Sequence, residues 1–343
     1  MKRREFLKSS ISASGVLFWA TNNYWKETNL LPASDQEKPQ TLYPAYLQAE
    51  REGILKERVE ALMAFYDNCH LCPRNCRVNR NRGQTGVCQA GSKVKVSSAF
   101  PHFGEEAPLV GRGGSGTIFF SHCSLRCVFC QNYTISIQGE GVEISDEQLA
   151  EVMLRVQSFG CHNINLVTPT HYVPNIIRAV RIAGQRGLKL PLVYNTGGYD
   201  NPEVIELLDG LVDIYLPDLK YSDPSQAAQY SEEAYNYPHY AKLAIKEMYR
   251  QVGDLVTEER GVAKRGLILR HLVLPNRVSG TKEVVKYIAE ELSTNTYVNL
   301  MNQYRPEYRA KEFPAIARRL KREEFEEALA WARQYGLKRL DRG

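Results

Sequence analysis

The chain has 343 residues, 24% of them charged and 10% aromatic, with a formal net charge of +5. That length supports one large core or two smaller ones, and the composition excludes a disordered or fibrous protein. The basic residues are spread along the chain instead of forming a concentrated patch, so nucleic acid is not expected as a partner.

In chain order, the first feature is Lys2-Arg3-Arg4, followed by an apolar run from Ile11 to Ala20. It resembles a twin-arginine export leader, and residues 1–42 are read as leader and linker. The run is too short to cross a bilayer comfortably, so no transmembrane span is expected in the mature chain. Leu31 stands where cleavage before Pro32-Ala33-Ser34 would prefer a small residue. A helical pattern then covers Tyr46 to Tyr66 and leads into a first cysteine group: Cys69, Cys72, Cys76 and, beyond a glycine-containing loop, Cys88. Four thiols so spaced in a large protein favour metal ligation over disulfides. They suit structural zinc or a closed auxiliary iron–sulfur cluster, with buried or transiently paired thiols as the alternative. Few apolar side chains surround them, so a metal would contribute folding energy. Residues 43–110 are read as an N-terminal extension around this group.

Gly111-Arg112-Gly113-Gly114-Ser115-Gly116 is not a phosphate-cradling loop, because it lacks the Gly-Lys-Ser/Thr ending and precedes a strand. Its glycines are expected to allow close backbone approach near the barrel mouth. From there, short apolar runs alternate with helical periods. Strands are predicted at 117–120, 163–168, 191–196, 212–216, 267–274 and 297–301. Ser145 and Gln148 form a capping box for one intervening helix. Pro174 opens the next, which ends before Gly187, and Asn201-Pro202 opens a third. Val284, Val285, Ile288 and Leu292 mark a fourth. Six strand–helix repeats imply parallel strands with right-handed crossovers. The expected fold is α/β: a partial (β/α)6 TIM-type barrel over residues 111–310, open because eight repeats would be needed to close it. A C-terminal helical segment occupies residues 311–343.

Functional groups should gather at the carboxyl ends of such strands. The first predicted strand runs into Cys123-Ser-Leu-Arg-Cys127-Val-Phe-Cys130. A [4Fe–4S] cluster normally takes four thiolates, so three on one loop leave one iron open to an outside ligand. A zinc knuckle or buried free thiols are the plainer alternatives. Cys161, alone at a helix-to-strand junction, is read as a buried inert thiol. The later strand ends carry Thr168, Thr170 and His171, then Asn195, then Asp218 and Lys220. The last two share a face and either pair with each other or present charge to a ligand. Of Arg270 and His271, adjacent in an apolar strand, one must face inward, where its charge needs a partner. His171 is either a ligand contact or a loop histidine.

The C-x3-C-x2-C spacing, with Phe129 before the last cysteine, resembles the radical S-adenosylmethionine (radical SAM) superfamily. The resemblance implies a [4Fe–4S] cluster on Cys123, Cys127 and Cys130, S-adenosylmethionine at the open iron, and Phe129 against its adenine. Asn195–Gly197, Asp218–Lys220 and Arg270 resemble cofactor-contacting elements of glycyl-radical activating enzymes of the pyruvate formate-lyase type. Thr168 falls where that superfamily usually carries a Gly-Gly-Glu-type segment, so its contact departs from the pattern. The runs Asn165–Tyr172, Tyr215–Lys220 and Arg270–Pro275 are shared with a branch named by analogy after those activating enzymes. The resemblance spans Gly111 to Tyr304. It implies reductive cleavage of S-adenosylmethionine to a 5′-deoxyadenosyl radical that abstracts hydrogen from a protein, a peptide or a small molecule. A flavodoxin- or ferredoxin-type electron donor is implied with it. The alternative is a non-catalytic exported iron–sulfur carrier. Localisation is pulled both ways, since the leader suggests export while S-adenosylmethionine is a cytoplasmic resource.

Overall fold

The computed structural model describes residues 43–341; the leader expected at 1–42 lies outside the described residues. Two helices come first, α1 (Ala45–Arg51) and α2 (Ile54–Ala64), then β1 (Val94–His102), α3 (Ala107–Val110), β2 (Ser115–Phe120), α4 (Tyr133–Ser136) and β3 (Val142–Ile144). The alternating part follows as α5 (Asp146–Ser158), β4 (Ile164–Val167), α6 (Val173–Gln185), β5 (Leu192–Thr196), α7 (Pro202–Glu206), β6 (Ile214–Pro217), α8 (Pro224–Tyr230) and α9 (Tyr237–Val252). The chain continues through β7 (Val256–Thr257), β8 (Ala263–Leu272), α10 (Thr281–Tyr287), β9 (Tyr297–Met301), α11 (Arg322–Gln334) and β10 (Arg339–Leu340).

All six predicted strands are present, and β2, β4, β5, β6, β8 and β9 pair in parallel in that order. The sheet is extended by β10 beyond β9 and, on the other side, by the antiparallel β1 and β3. The fold is thus mixed α/β with an open parallel sheet, consistent with a partial barrel. Its helices start where the sequence places caps. Ser145 accepts from the Gln148 N–H while the Gln148 side chain returns to the Ser145 N–H, and the Asn201 side chain accepts from the Glu203 N–H. Helix α6 carries Pro174 in its first turn, where the missing N–H has no partner to lose.

Three expectations are corrected. The helix foreseen over 46–66 is two helices, because Gly53 sits at φ 80 between them. The C-terminal segment is helical only over α11, with 3-10 turns before it. The glycine-rich run does permit close approach, since a Cβ on Gly113 would lie 2.0 Å from the Gly160 carbonyl oxygen. That contact is at the amino end of β2, away from the barrel mouth, and there His162 Nε2 accepts from the Arg112 and Gly113 N–H groups.

Cys161 is buried at the α5–β4 junction as expected. His271 faces away from the barrel interior, with Nδ1 on the Leu219 carbonyl and Nε2 on Thr281 Oγ1 at 2.9 Å. Burial depresses its pKa to about 4. A histidine held neutral by the fold contributes stability above pH 6.5, and the contribution is lost as pH falls toward that folded value. His271 alone should therefore cost about 3 kcal/mol across that window. We expect the urea midpoint to fall between pH 6.5 and 4, and H271Q to flatten part of that slope; equal slopes would remove His271 from the account.

Candidate active site

The loop after β2 carries the three cysteines, and each sulfur meets a hydrogen-bonding group. The Leu125 N–H lies 3.4 Å from Cys123 Sγ, and the Ser231 hydroxyl donates to Cys127 Sγ at 3.0 Å. Cys130 Sγ and Ser136 Oγ are 3.0 Å apart. As free thiols two of them resist ionisation: burial pushes Cys127 up to about 12 despite the lowering effect of Lys220, and raises Cys130 as well. The loop backbone is tied down from both sides. Val128 donates to the Tyr230 carbonyl, and Arg309 donates to that of Val128.

All three cysteines line one cavity of about 260 Å³. The strand ends complete its wall, with Phe129, Thr168, Asn195, Asp218, Lys220 and Arg270 all in the lining. The three cysteines of the loop and these six residues, read from the sequence as cofactor contacts, are therefore brought to one place. Phe129 is buried, set edge-on to Tyr221 and Tyr304. Thr168 adopts φ 59, unusual for a β-branched residue, while its N–H reaches the Asn195 carbonyl at 2.8 Å. His171 is elsewhere: it is buried behind the cysteine loop with Nε2 on the Ser121 carbonyl at 2.7 Å, which is the loop-histidine reading.

The charged groups form one network. Arg270 Nε donates to Asp218 Oδ1 at 2.8 Å, and its NH2 donates to Asn195 Oδ1 at 2.6 Å. Lys220 Nζ lies 2.5 Å from Asp218 Oδ2. Burial would raise the Asp218 carboxyl, but Arg270 and Lys220 together hold it below its ordinary value. Burial likewise opposes the charge on Arg270, and Asp218, Glu106 and Glu105 outweigh it. Beneath this network, buried Asp200 accepts from Thr170, Thr196 and Tyr194 at 2.6–2.9 Å and so knits the ends of β4 and β5.

The sequence reading missed Glu105 and Glu106. A carboxylate pair flanked by Gly104 and α3 has no periodicity to mark it, and only the fold carries it across to Arg270 and β9. Also missed were two arginines of the first cysteine group. Arg74 Nε donates to the Ser124 carbonyl at 2.9 Å and NH2 to that of Ser231 at 2.9 Å, so the extension grips the cysteine loop itself. Arg80 is buried against Tyr66, with NH1 donating to the His171 carbonyl at 2.6 Å.

The chain matches the family model described as the radical SAM superfamily over residues 117–253. It is 33% identical over 301 residues to an uncharacterized protein of Methanocaldococcus jannaschii, MJ0674, covering 85% of this chain and 82% of that one. A second uncharacterized protein of the same organism, MJ0808, is 23% identical over 77% of each chain. This chain belongs to the radical SAM superfamily. The solved structure of HydG, titled a maturase of the [FeFe]-hydrogenase, aligns with a TM-score of 0.44 at 12% identity, covering 64% of this chain and 48% of that one.

Membership of the radical SAM superfamily implies a [4Fe–4S] cluster and S-adenosylmethionine, and the donor set fits both. Three thiols line a cavity whose lining also carries both signs of charge, from Asp218, Lys220 and Arg270. As placed, no group of three or more His, Cys, Asp or Glu side chains among the described residues is gathered to hold a metal ion. Removal of the guanidinium would leave Asp218, Asn195 and Glu105 short of a donor in a buried network. We expect Arg270→Ala to lower unfolding free energy by about 3–5 kcal/mol, the usual cost of breaking a buried pair, read by urea denaturation. A loss below about 1 kcal/mol would show the network to be solvated.

Proposed function

We propose that this radical SAM protein is an enzyme that uses Cys123, Cys127 and Cys130 as its three cluster ligands and draws its radical from S-adenosylmethionine. Convergence of those thiols with Asp218, Lys220 and Arg270 on one cavity carries the reading. Bound there, the cluster would supply the electron for reductive cleavage of S-adenosylmethionine to methionine and a 5′-deoxyadenosyl radical.

The chain's own residues prepare that site. The Leu125 N–H and the Ser231 hydroxyl are set to stabilise negative charge on sulfur once the thiols deprotonate. Asp218 and Lys220 offer opposite charges to a zwitterionic amino acid moiety, and Phe129 offers a flat apolar face to a base. Asn195 is oriented by Arg270, and Thr168 is held by the backbone of β5. Buried Tyr221 and Tyr304 behind Phe129 keep water from that side. Likeness to the glycyl-radical activating enzymes, carried by Asn195–Gly197, Asp218–Lys220 and Arg270, supports hydrogen abstraction as the reaction class. A flavodoxin- or ferredoxin-type protein serves as electron donor.

We further infer that Cys69, Cys72, Cys76 and Cys88 hold a second metal, zinc or iron–sulfur, within an extension (43–110) that buttresses the barrel (111–310). The thiols are near one another: burial, then Cys88, Cys69 and Cys76, push Cys72 well up, and burial with Cys69 and Cys76 raises Cys88. Arg80 supports this reading. Among the described residues it is a buried cation without a carboxylate partner, its Nε meets no acceptor, and Cys88 and Cys69 are among the groups that sustain its charge. Thiolates on a metal would supply the missing negative charge.

Anaerobic reconstitution followed by chemical reduction in the presence of S-adenosylmethionine should yield 5′-deoxyadenosine. Cys127→Ala should lower the yield at least a hundredfold, and Cys161→Ala should leave it within twofold. In the same preparations Cys72→Ala should lose the second metal while still yielding 5′-deoxyadenosine. An active Cys127→Ala protein would end the three-ligand assignment.

A further inference from the structure

A second cavity, of about 880 Å³, shares Arg270, Met301 and Gln303 with the cysteine-lined one. It lies where the sheet remains open, between the segment joining β1 to α3 and the strand β9 with helix α11. At its inner wall are Glu105 and Glu106. Glu106 is 4% exposed; its Oε1 accepts from Asn299 Nδ2 at 2.9 Å, and its Oε2 has no hydrogen-bond donor among the described residues. A buried carboxylate oxygen without a donor is costly, and wants a cation or an N–H.

Arg270 is close enough for Glu106 to help sustain its charge, but it gives Oε2 no hydrogen bond. Arg270 is committed to Asp218 and Asn195 and stands 3.6 Å from Glu105. Lys220 is committed to Asp218. Half-buried His102 is 3.6 Å from Glu105 and is not among the residues lining this cavity. Three carboxyl groups, those of Asp218, Glu105 and Glu106, thus face two permanent cations, and burial with Glu106 close by pushes the Glu105 carboxyl up. Apolar Phe103, Val110, Leu300 and Leu329 also contribute to the lining. At the rim, exposed Arg333 and Lys338 form no ion pair among the described residues, while Asp341 accepts from the Tyr297 hydroxyl.

We propose that this cavity is the substrate site and takes a molecule or peptide side chain with a protonated nitrogen on an aliphatic stem, the nitrogen docked on Glu106 and the far end, neutral or anionic, at the rim. This rests on the radical reading above and adds the chemical class of the hydrogen donor. The shared wall places carbons near the docked nitrogen beside Met301 and Gln303, on the border of the cysteine-lined cavity.

The probe is 6-aminohexanoate, compared with hexanoate, with binding read by equilibrium dialysis against the anaerobically reconstituted full chain with S-adenosylmethionine. The wild-type protein should bind 6-aminohexanoate at least tenfold more tightly than hexanoate. Glu106→Gln, which keeps the side chain's size and its acceptor for Asn299, should abolish that preference. Equal binding of the two probes to the wild-type protein overturns the proposal whether or not the variant folds. A preference that survives in folded Glu106→Gln overturns it as well. 5′-Deoxyadenosine is measured in the same samples after a chemical reductant is added: its absence, with the nitrogen preference intact, defeats the radical reading and leaves the docking of the nitrogen standing.

Discussion

A guanidinium enclosed in the middle of an open barrel has to be neutralised from several directions, and the neutralisation of Arg270 organises this protein. Its partners come from β5 (Asn195), β6 (Asp218) and the segment before α3 (Glu105). That set spans the sheet from its centre to its open side. The cation stands on the wall between the two cavities, so the requirement that shapes the barrel interior also shapes the site. An apolar residue at position 270 would pack without these partners, and nothing would then draw Glu105 across the opening.

Much of this was legible in the chain. The six parallel strands announced themselves because each is a short apolar run between helices with readable caps, Ser145 and Asn201 among them. The cysteine loop was legible because spacing alone specifies ligand count. Asp218 and Lys220 were left open between pairing and ligand contact, and the fold shows that they pair while also lining the cavity. What escaped was non-local. Glu105 and Glu106 sit in a loop whose partners lie more than 100 residues away, in β8 and β9. The break at Gly53 escaped because the apolar pattern continues across it, so only the backbone angle separates the two helices.

The first cysteine group gains a role from the fold that its spacing could not give. Arg74, between Cys72 and Cys76, holds carbonyls of the cysteine loop and of Ser231, the same residue whose hydroxyl meets Cys127. Arg80 holds the His171 carbonyl, and His171 in turn holds the Ser121 carbonyl just ahead of Cys123. Leu71 is buried and the Asn201 N–H reaches its carbonyl, so the group packs into the barrel's core and is less polar in its surroundings than its sequence suggests. Order in the extension is therefore transmitted to the loop that carries the three thiols. Small displacements there would alter the donors to sulfur, which is one of the ways a protein tunes such a centre.

A three-thiolate loop facing a wall of paired charges asks for a centre with one coordination position left to a small zwitterion. Mössbauer spectroscopy of anaerobic protein loaded with iron-57 reads that position directly. One iron of four should change its signal when S-adenosylmethionine is added, and the change should vanish in Lys220→Met with the cluster retained. Four irons that ignore the addition, or zinc in their place at Cys123, Cys127 and Cys130, would contradict the account.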